Sequence, residues 1–208
     1  MGTYYYLVSQ LPFLIYGQKP PMSSDAFRNL ARPILDADDA AIFDTISLDP
    51  QPVPLAHEIF SYADAIPSCG SDFIDNWREW ERVLRLNLAK RRAAKIMREG
   101  AMPIEPPTVP SDAATVATRA AGGDESPLDA DILLDKARWS AIDNLQGIDY
   151  FDRNIVFAYL LKLLILERRS LMQTETGLSS YKSLYASIIE SGVALGGVSG
   201  ITPAGEAK

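Results

Sequence analysis

Residues 155–166 read IVFAYLLKLLIL, and this stretch decides the fold class. Lys162 alone interrupts it, and the longer segment from Asp152 to Met172 is apolar on almost every side when it is drawn as a helix. A helix of that kind belongs at the centre of a helical bundle. The apolar run is well short of the roughly 18 residues that a membrane span needs. We therefore predict a buried central helix.

The longest predicted helix covers residues 71–99. Ser71 and Asp72 can accept hydrogen bonds from the free N–H groups of a first turn, and Gly100 stands where a helix end is often capped. Four apolar residues recur at steps of four, three and four, which places them on one face that we expect to be buried: Phe73, Trp77, Trp80 and Leu84.

Shorter helices are predicted over residues 23–31, 36–46, 55–66, 128–146 and 179–190, from their capping residues and apolar spacing. Tyr4–Val8 is aromatic and β-branched, and so short a segment fits a strand or a helix equally well. Taken together, these patterns predict an all-α helical bundle with a flexible proline-rich insert.

The predicted organisation has four parts. Residues 1–101 form an N-terminal helical part that includes the long helix, and residues 128–192 form C-terminal helices packed on the same core. Residues 102–127 contain five prolines and many small residues, so we expect a flexible insert that cannot bury enough apolar area to offset its ordering entropy. Residues 193–208 are expected to be a flexible tail.

The composition is that of a globular protein, with 47% hydrophobic and 23% charged residues. The net charge of −7 argues against a general nucleic-acid binder, whose affinity depends on lysine and arginine. Cys69 is the only cysteine, which fits a reducing compartment, and residues 1–10 do not have the pattern of a signal peptide. We predict a cytoplasmic protein that meets the inner membrane only indirectly, through a complex.

The sequence indicates no catalytic residues, no metal site and no cofactor. His57 is the only histidine, so a two-histidine metal site is impossible. Cys69 could act as a nucleophile with His57 as its base, but no local motif supports that pair. None of the glycine-rich phosphate-binding or nucleophile-elbow motifs is present. We therefore predict that the protein is not an enzyme.

Asp131 and Asp135 are four residues apart and share a helix face. Carboxylates spaced in this way bind metals in some helical bundles, where Glu-x-x-His partners complete the site, and this chain cannot supply two of them. A metal-dependent helical-bundle enzyme is therefore a remote alternative. We expect instead a solvated acidic face near the beginning of a helix.

The most unusual charge pattern lies at the end of the long helix. Five cations fall within nine residues of an acidic protein: Lys90, Arg91, Arg92, Lys95 and Arg98. Cations at a helix C-terminus are favourable in themselves, and nearby acids can neutralise them. The alternatives are a docking surface for an acidic partner, or a site for nucleic acid or anionic lipid. We select these five residues as the candidate partner-binding site.

Three segments resemble a bacterial family of unknown function whose members are typically encoded beside V-type ATP synthase genes: Tyr4–Pro12, Trp77–Glu81 and Ala158–Arg169. The resemblance spans most of the chain apart from the insert and the tail. Two further segments, Leu128–Lys136 and Asp152–Ile155, are distantly similar to the socket subunit of V-type ATPases. That second family implies an all-helical, non-catalytic protein that joins the central rotor stalk to the membrane ring.

The resemblance leads to one functional expectation and one alternative. We expect a non-catalytic coupler of a bacterial V-type ATPase or ATP synthase, which takes the place of the socket subunit. Its partners would be protein subunits of the central stalk or membrane ring, with no nucleic acid. The alternative is an assembly or regulatory adaptor that binds the same complex transiently.

Overall fold

A computed structural model describes residues 4–49, 68–95, 112–122, 126–172 and 181–189. The fold is all-α, as predicted from the sequence. Seven helices in the described part of Met1–Leu171 are α1 Tyr5–Gln10, α2 Ser24–Ala31, α3 Ala37–Asp44, α4 Asp72–Lys95, α5 Ala113–Gly122, α6 Pro127–Leu145 and α7 Arg153–Leu171. A further helix, α8, covers residues 181–189. The chain divides into two compact units, Met1–Glu167 and Arg168–Lys208.

Helix α7 is the centre of the first unit, which confirms the prediction made from its apolar run. Nine of its side chains are buried, and Phe157, Leu160, Leu161, Leu163 and Ile165 are fully inaccessible. Lys162, the residue that interrupts the run, lies at the edge of the core and places its ammonium group 5.4 Å from the centre of the Trp139 ring. A single cation is therefore accommodated without breaking the helix.

The segment that fitted both a strand and a helix is helical. Leu7 of α1 is fully buried, and Tyr4, just before the helix, is tied to two distant elements. Its backbone N–H donates to the carbonyl of Phe151 at 2.8 Å, and its hydroxyl donates to Asp39 at 2.6 Å. These contacts favour the helix over the strand propensity of the sequence, because tertiary context decides so short a segment.

Helices α2 and α3 are fixed to each other by one arginine. Ser23 caps α2 by accepting a hydrogen bond from the N–H of Ala26 at 3.1 Å. Arg28 then donates to the carbonyls of Phe43 and Ile46, at 3.0 and 2.6 Å, near the C-terminus of α3. A cation therefore satisfies carbonyl groups that the end of α3 would otherwise leave without a partner.

Helix α4 buries the face that its apolar spacing predicted. Phe73, Trp77, Trp80 and Leu84 are at most 7% exposed, and the rings of Trp77 and Trp80 stack with centroids 5.6 Å apart. The Trp80 indole donates to the carboxylate of Asp112 at 2.7 Å. The helix begins at Asp72 as expected, and residues 96–99 of the predicted helix lie outside the described part.

Helix α5 corrects the prediction of an unstructured insert over residues 102–127. Residues 113–122 are helical, and Ala113, Ala117 and Ala121 are buried, with α4 and α6 as the neighbouring helices. Alanine has the best helix propensity, and a stripe of alanines lets two helices approach closely. The composition suggested too little apolar material for a core, but a closely packed alanine stripe needs little. Residues 102–111 and 123–125 lie outside the described part.

Helix α6 begins and ends at residues that the sequence marks clearly. Ser126 caps the N-terminus by accepting from the N–H of Asp129, and Pro127 occupies the first turn. Gly147 follows the helix with a φ of +82°, a conformation that L side chains rarely adopt. Two other predictions, the helix at residues 55–66 and the flexible tail at 193–208, fall outside the described residues.

Candidate interaction site

The predicted partner-binding residues lie at the C-terminal end of α4. Lys90, Arg91 and Arg92 are exposed, and none of them forms an ion pair with a residue that the structure describes. The backbone of Lys95 closes the helix, while its side chain and all of Arg98 lie outside the described part. We call Lys90, Arg91 and Arg92 the basic end of α4.

The arginines earlier in α4 have structural partners. Arg78 donates to the hydroxyl of Thr45 at 2.9 Å, and Arg82 forms a bidentate pair with Glu79 at 2.7 Å. Arg85 bonds to Glu81 and to the carbonyl of Leu48, each at 2.7 Å. These three cations therefore help to hold the first unit together, and they differ in this respect from the basic end of α4.

A buried charge cluster joins α4 to α6. Glu81 receives two hydrogen bonds from Arg138, at 2.9 and 3.0 Å, and one from Arg85. Arg138 also pairs with Asp135 at 3.4 Å. The side chains of Arg138, Glu81 and Asp135 are 7, 11 and 0% exposed. Buried charges persist only when they are paired in this way.

Asp135 corrects the predicted solvated acidic face. It is fully buried beside Arg138, while Asp131, four residues earlier, is half-buried. Asp135 was misassigned because the partners Arg138 and Glu81 come together only in the folded chain. Within the described ranges, no group of three or more His, Cys, Asp and Glu side chains could hold a metal ion.

Cys69 stands just before α4 in the reach of one carboxylate. Its backbone N–H donates to Asp75 at 2.9 Å. Burial, together with the side-chain hydrogen bond to Asp75, raises the pKa of the thiol. A raised pKa disfavours the thiolate, which is the nucleophilic form of cysteine. His57, the base considered from the sequence, lies outside the described part.

An open groove of about 600 Å³ runs along α5 and α6. Its floor is apolar and its rim carries charges of both signs, and the lining consists of Val116, Arg119, Asp129, Ile132, Leu133, Lys136 and Ala137. Asp129 already accepts a hydrogen bond from the hydroxyl of Ser126 at 2.7 Å. The lining residues include neither a nucleophile nor a histidine, so the groove is suited to contact and not to nucleophilic catalysis.

An exposed aromatic surface was not identified from the sequence. Tyr5 on α1 meets Phe151 in the α6–α7 loop with ring centroids 4.7 Å apart, and Tyr150 beside it is 66% exposed. We call Tyr5, Tyr150 and Phe151 the aromatic patch. The only signal in the sequence was the run Tyr4–Tyr6, of which Tyr4 is buried and Tyr5 and Tyr6 are exposed. Aromatic residues of this kind are enriched at protein interfaces.

Comparison with known proteins gives one match. Residues 120–192, a little over a third of the chain, match a family described as a protein of unknown function (DUF2764). No curated protein and no solved structure matches the chain. None of the helices in the described part is both long enough and apolar enough to cross a membrane.

Proposed function

We propose that this protein is a non-catalytic component of a bacterial V-type ATPase or ATP synthase, in which it couples the central stalk to the membrane ring in the manner of the socket subunit. The basic end of α4 carries the proposal. Three consecutive exposed cations in a protein of net charge −7 form a surface that can recognise an acidic partner.

The contrast along α4 supports this assignment. Arg78, Arg82 and Arg85 are engaged with Thr45, Glu79 and Glu81, whereas the cations one turn further on extend into solvent. A charged surface that folding does not use is available to fix the register of a partner. The favourable interaction of cations with a helix C-terminus accounts for the position of the charges but does not require three of them.

The segments that resemble the V-type ATPase-associated family supply the core. Tyr4 ties α1 to α3 and to the α6–α7 loop, Trp77 and Trp80 form the buried face of α4, and Ala158–Leu166 is the centre of α7. The resemblance therefore involves residues that build the fold. The matched segment 120–192 includes the third of these stretches.

The test is retention in the complex. A variant that carries Lys90→Glu, Arg91→Glu and Arg92→Glu should keep its circular dichroism spectrum, because the three side chains are exposed, yet co-purify with V-type ATPase subunits roughly tenfold less well. The matched control reverses three other exposed cations, Lys19, Arg119 and Lys136, and should be retained like the wild type. Retention of the wild type should also decrease with added salt.

Two results would contradict the proposal. The first is failure of the wild-type protein to co-purify with any component of a V-type ATPase. The second is a deletion strain in which ATP hydrolysis and ion pumping stay fully coupled. Association with partly assembled complexes, together with absence from the active enzyme, would instead identify the protein as an assembly or regulatory adaptor.

A further inference from the structure

Helix α8 presents an apolar face to solvent. Five large side chains in its nine residues are between 47 and 65% exposed. They are spaced at i, i+3, i+4, i+7 and i+8, which aligns them along one stripe of the helix: Tyr181, Leu184, Tyr185, Ile188 and Ile189. The rings of the two tyrosines stack with centroids 6.1 Å apart. We call these five residues the α8 stripe.

The charges of α8 argue against a membrane as its binding surface. Lys182 is the only charged residue in 181–189, and the rest of the polar side consists of small residues. Helices that lie in a membrane interface normally have a strongly charged polar face that is rich in Lys and Arg. The nearest flanking charges in the sequence, Glu175 and Glu190, are acidic and would be repelled by anionic lipid.

The size of the stripe argues against a second copy of the chain. Five half-exposed side chains offer on the order of 500 Å² of surface, whereas a stable interface buries about 800 Å² on each partner. Two α8 helices packed face to face would remain below that value. A groove between two helices of another protein also covers the flanks of α8, so the same stripe buries more area there.

The family match provides an independent observation. The matched residues, 120–192, extend through α8 and end just beyond it. The helix therefore belongs to the part of the chain that is shared with the family, and it is not an addition specific to this protein.

We propose that the α8 stripe docks into an apolar groove on another protein of the complex, as a helix whose anchors are spaced at i, i+3, i+4 and i+7. The identity of that protein rests on the function proposed above, so the groove belongs to a V-type ATPase component. The stripe supplies the apolar anchor, and the basic end of α4 supplies a polar contact with the same complex.

A photo-cross-linking experiment in the native host tests the contact directly. The full chain carries p-benzoylphenylalanine at position 184, on the stripe, or at position 183 as a matched control off the stripe. Position 184 should give one discrete adduct with a V-type ATPase component, in roughly tenfold higher yield than position 183. Adducts with the chain itself, within one copy or between copies, would overturn the proposal, and so would adducts with lipid or equal yields at the two positions.

A pair of variants separates this proposal from the function on which it rests. Leu184→Asp combined with Ile188→Asp should reduce co-purification roughly tenfold or more, because anchor residues carry most of the energy of an interface. Ser183→Asp combined with Ser187→Asp introduces the same charges off the stripe and should have little effect. If wild type and both variants co-purify equally, the docking proposal alone is wrong. If the wild type never co-purifies, both proposals are wrong.

Discussion

The guanidinium of Arg138 and the carboxylate of Glu81 face each other between α6 and α4, with Nε 3.0 Å from Oε2 and Nη2 2.9 Å from Oε1. This bidentate pair is buried, and it joins residues that are 57 positions apart in sequence. The long helix and the helix that follows α5 are therefore held together by a charge contact in addition to their apolar packing.

Removing one side of this pair should be costly. Arg138→Met leaves Glu81 and Asp135 buried without their shared cation, so we expect the free energy of unfolding to decrease by about 3 kcal/mol. Urea denaturation measures the change. Arg32→Met is the control, because its pair with Asp44 is 65 and 41% exposed and should be worth less than about 1 kcal/mol. Equal losses in the two variants would show that the Arg138 pair does not stabilise the fold.

The stacked tryptophans of α4 provide a second prediction. Trp77 is 3% exposed, so Trp77→Ala should leave a cavity and cost on the order of 3–5 kcal/mol of unfolding free energy. Phe13→Ala is the control, since Phe13 is 87% exposed and should change stability by less than about 0.5 kcal/mol. An unchanged melting temperature for Trp77→Ala would mean that this face of α4 is accessible in solution.

Close packing of α5 can be tested with two leucine substitutions on the same helix. Ala117 is fully buried, so Ala117→Leu should force the neighbouring helices apart and cost about 1–3 kcal/mol. Ala114 is exposed, and Ala114→Leu should be nearly neutral because leucine is also a good helix former. Thermal unfolding distinguishes the two. If Ala117→Leu is as stable as Ala114→Leu, α5 does not pack as described.

The buried hydroxyl of Tyr4 makes stability depend on alkaline pH. Burial, with the hydrogen bond to Asp39, raises the pKa of Tyr4 from 10.0 to about 12. Because the folded-state pKa is the higher one, this contribution to stability is complete below about pH 10 and is lost as the pH rises towards 12. Urea midpoints between about pH 8 and pH 12 should show this decline.

Substitution of Tyr4 identifies its share of the decline. Tyr4→Phe should be less stable at about pH 8, because the hydrogen bond to Asp39 is lost, and should fall less steeply between about pH 10 and pH 12. Part of the slope should remain, since burial also raises the pKa of Tyr159 to about 12. Tyr6→Phe, at an exposed position, should keep the wild-type profile. A Tyr4→Phe profile parallel to the wild type would contradict the assignment.

The long helices were predictable because local sequence determines them. The apolar run of α7, the spacing from Phe73 to Leu84 and the capping residues Ser23 and Ser126 can all be recognised without knowledge of the neighbours. Even the pairs within α4 follow from spacing, since Glu81 and Arg85 are four residues apart on one face.

The features that were missed depend on partners that are distant in sequence. Ala117 gives almost no hydrophobic signal, and its burial follows only from the surfaces of α4 and α6 around it. Asp135 is typical of a surface residue until Arg138 and Glu81 surround it. Tyr4 and Tyr5 are adjacent and chemically identical, yet one is buried and the other exposed, because Asp39 and Phe151 fix the orientation of α1.

The contacts of α7 with the first two helices determine the order in which the chain can fold during synthesis. Glu167 accepts the N–H of Ser24 at 2.7 Å, and Tyr159 donates to the carbonyl of Pro12 at 3.0 Å, over separations of 143 and 147 residues. At the usual rate of translation, the ribosome needs on the order of ten seconds to make that intervening length. The nascent chain therefore carries α1 and α2 without their α7 partner until residues beyond 150 have been made, and in that interval it is most exposed to aggregation and chaperone binding.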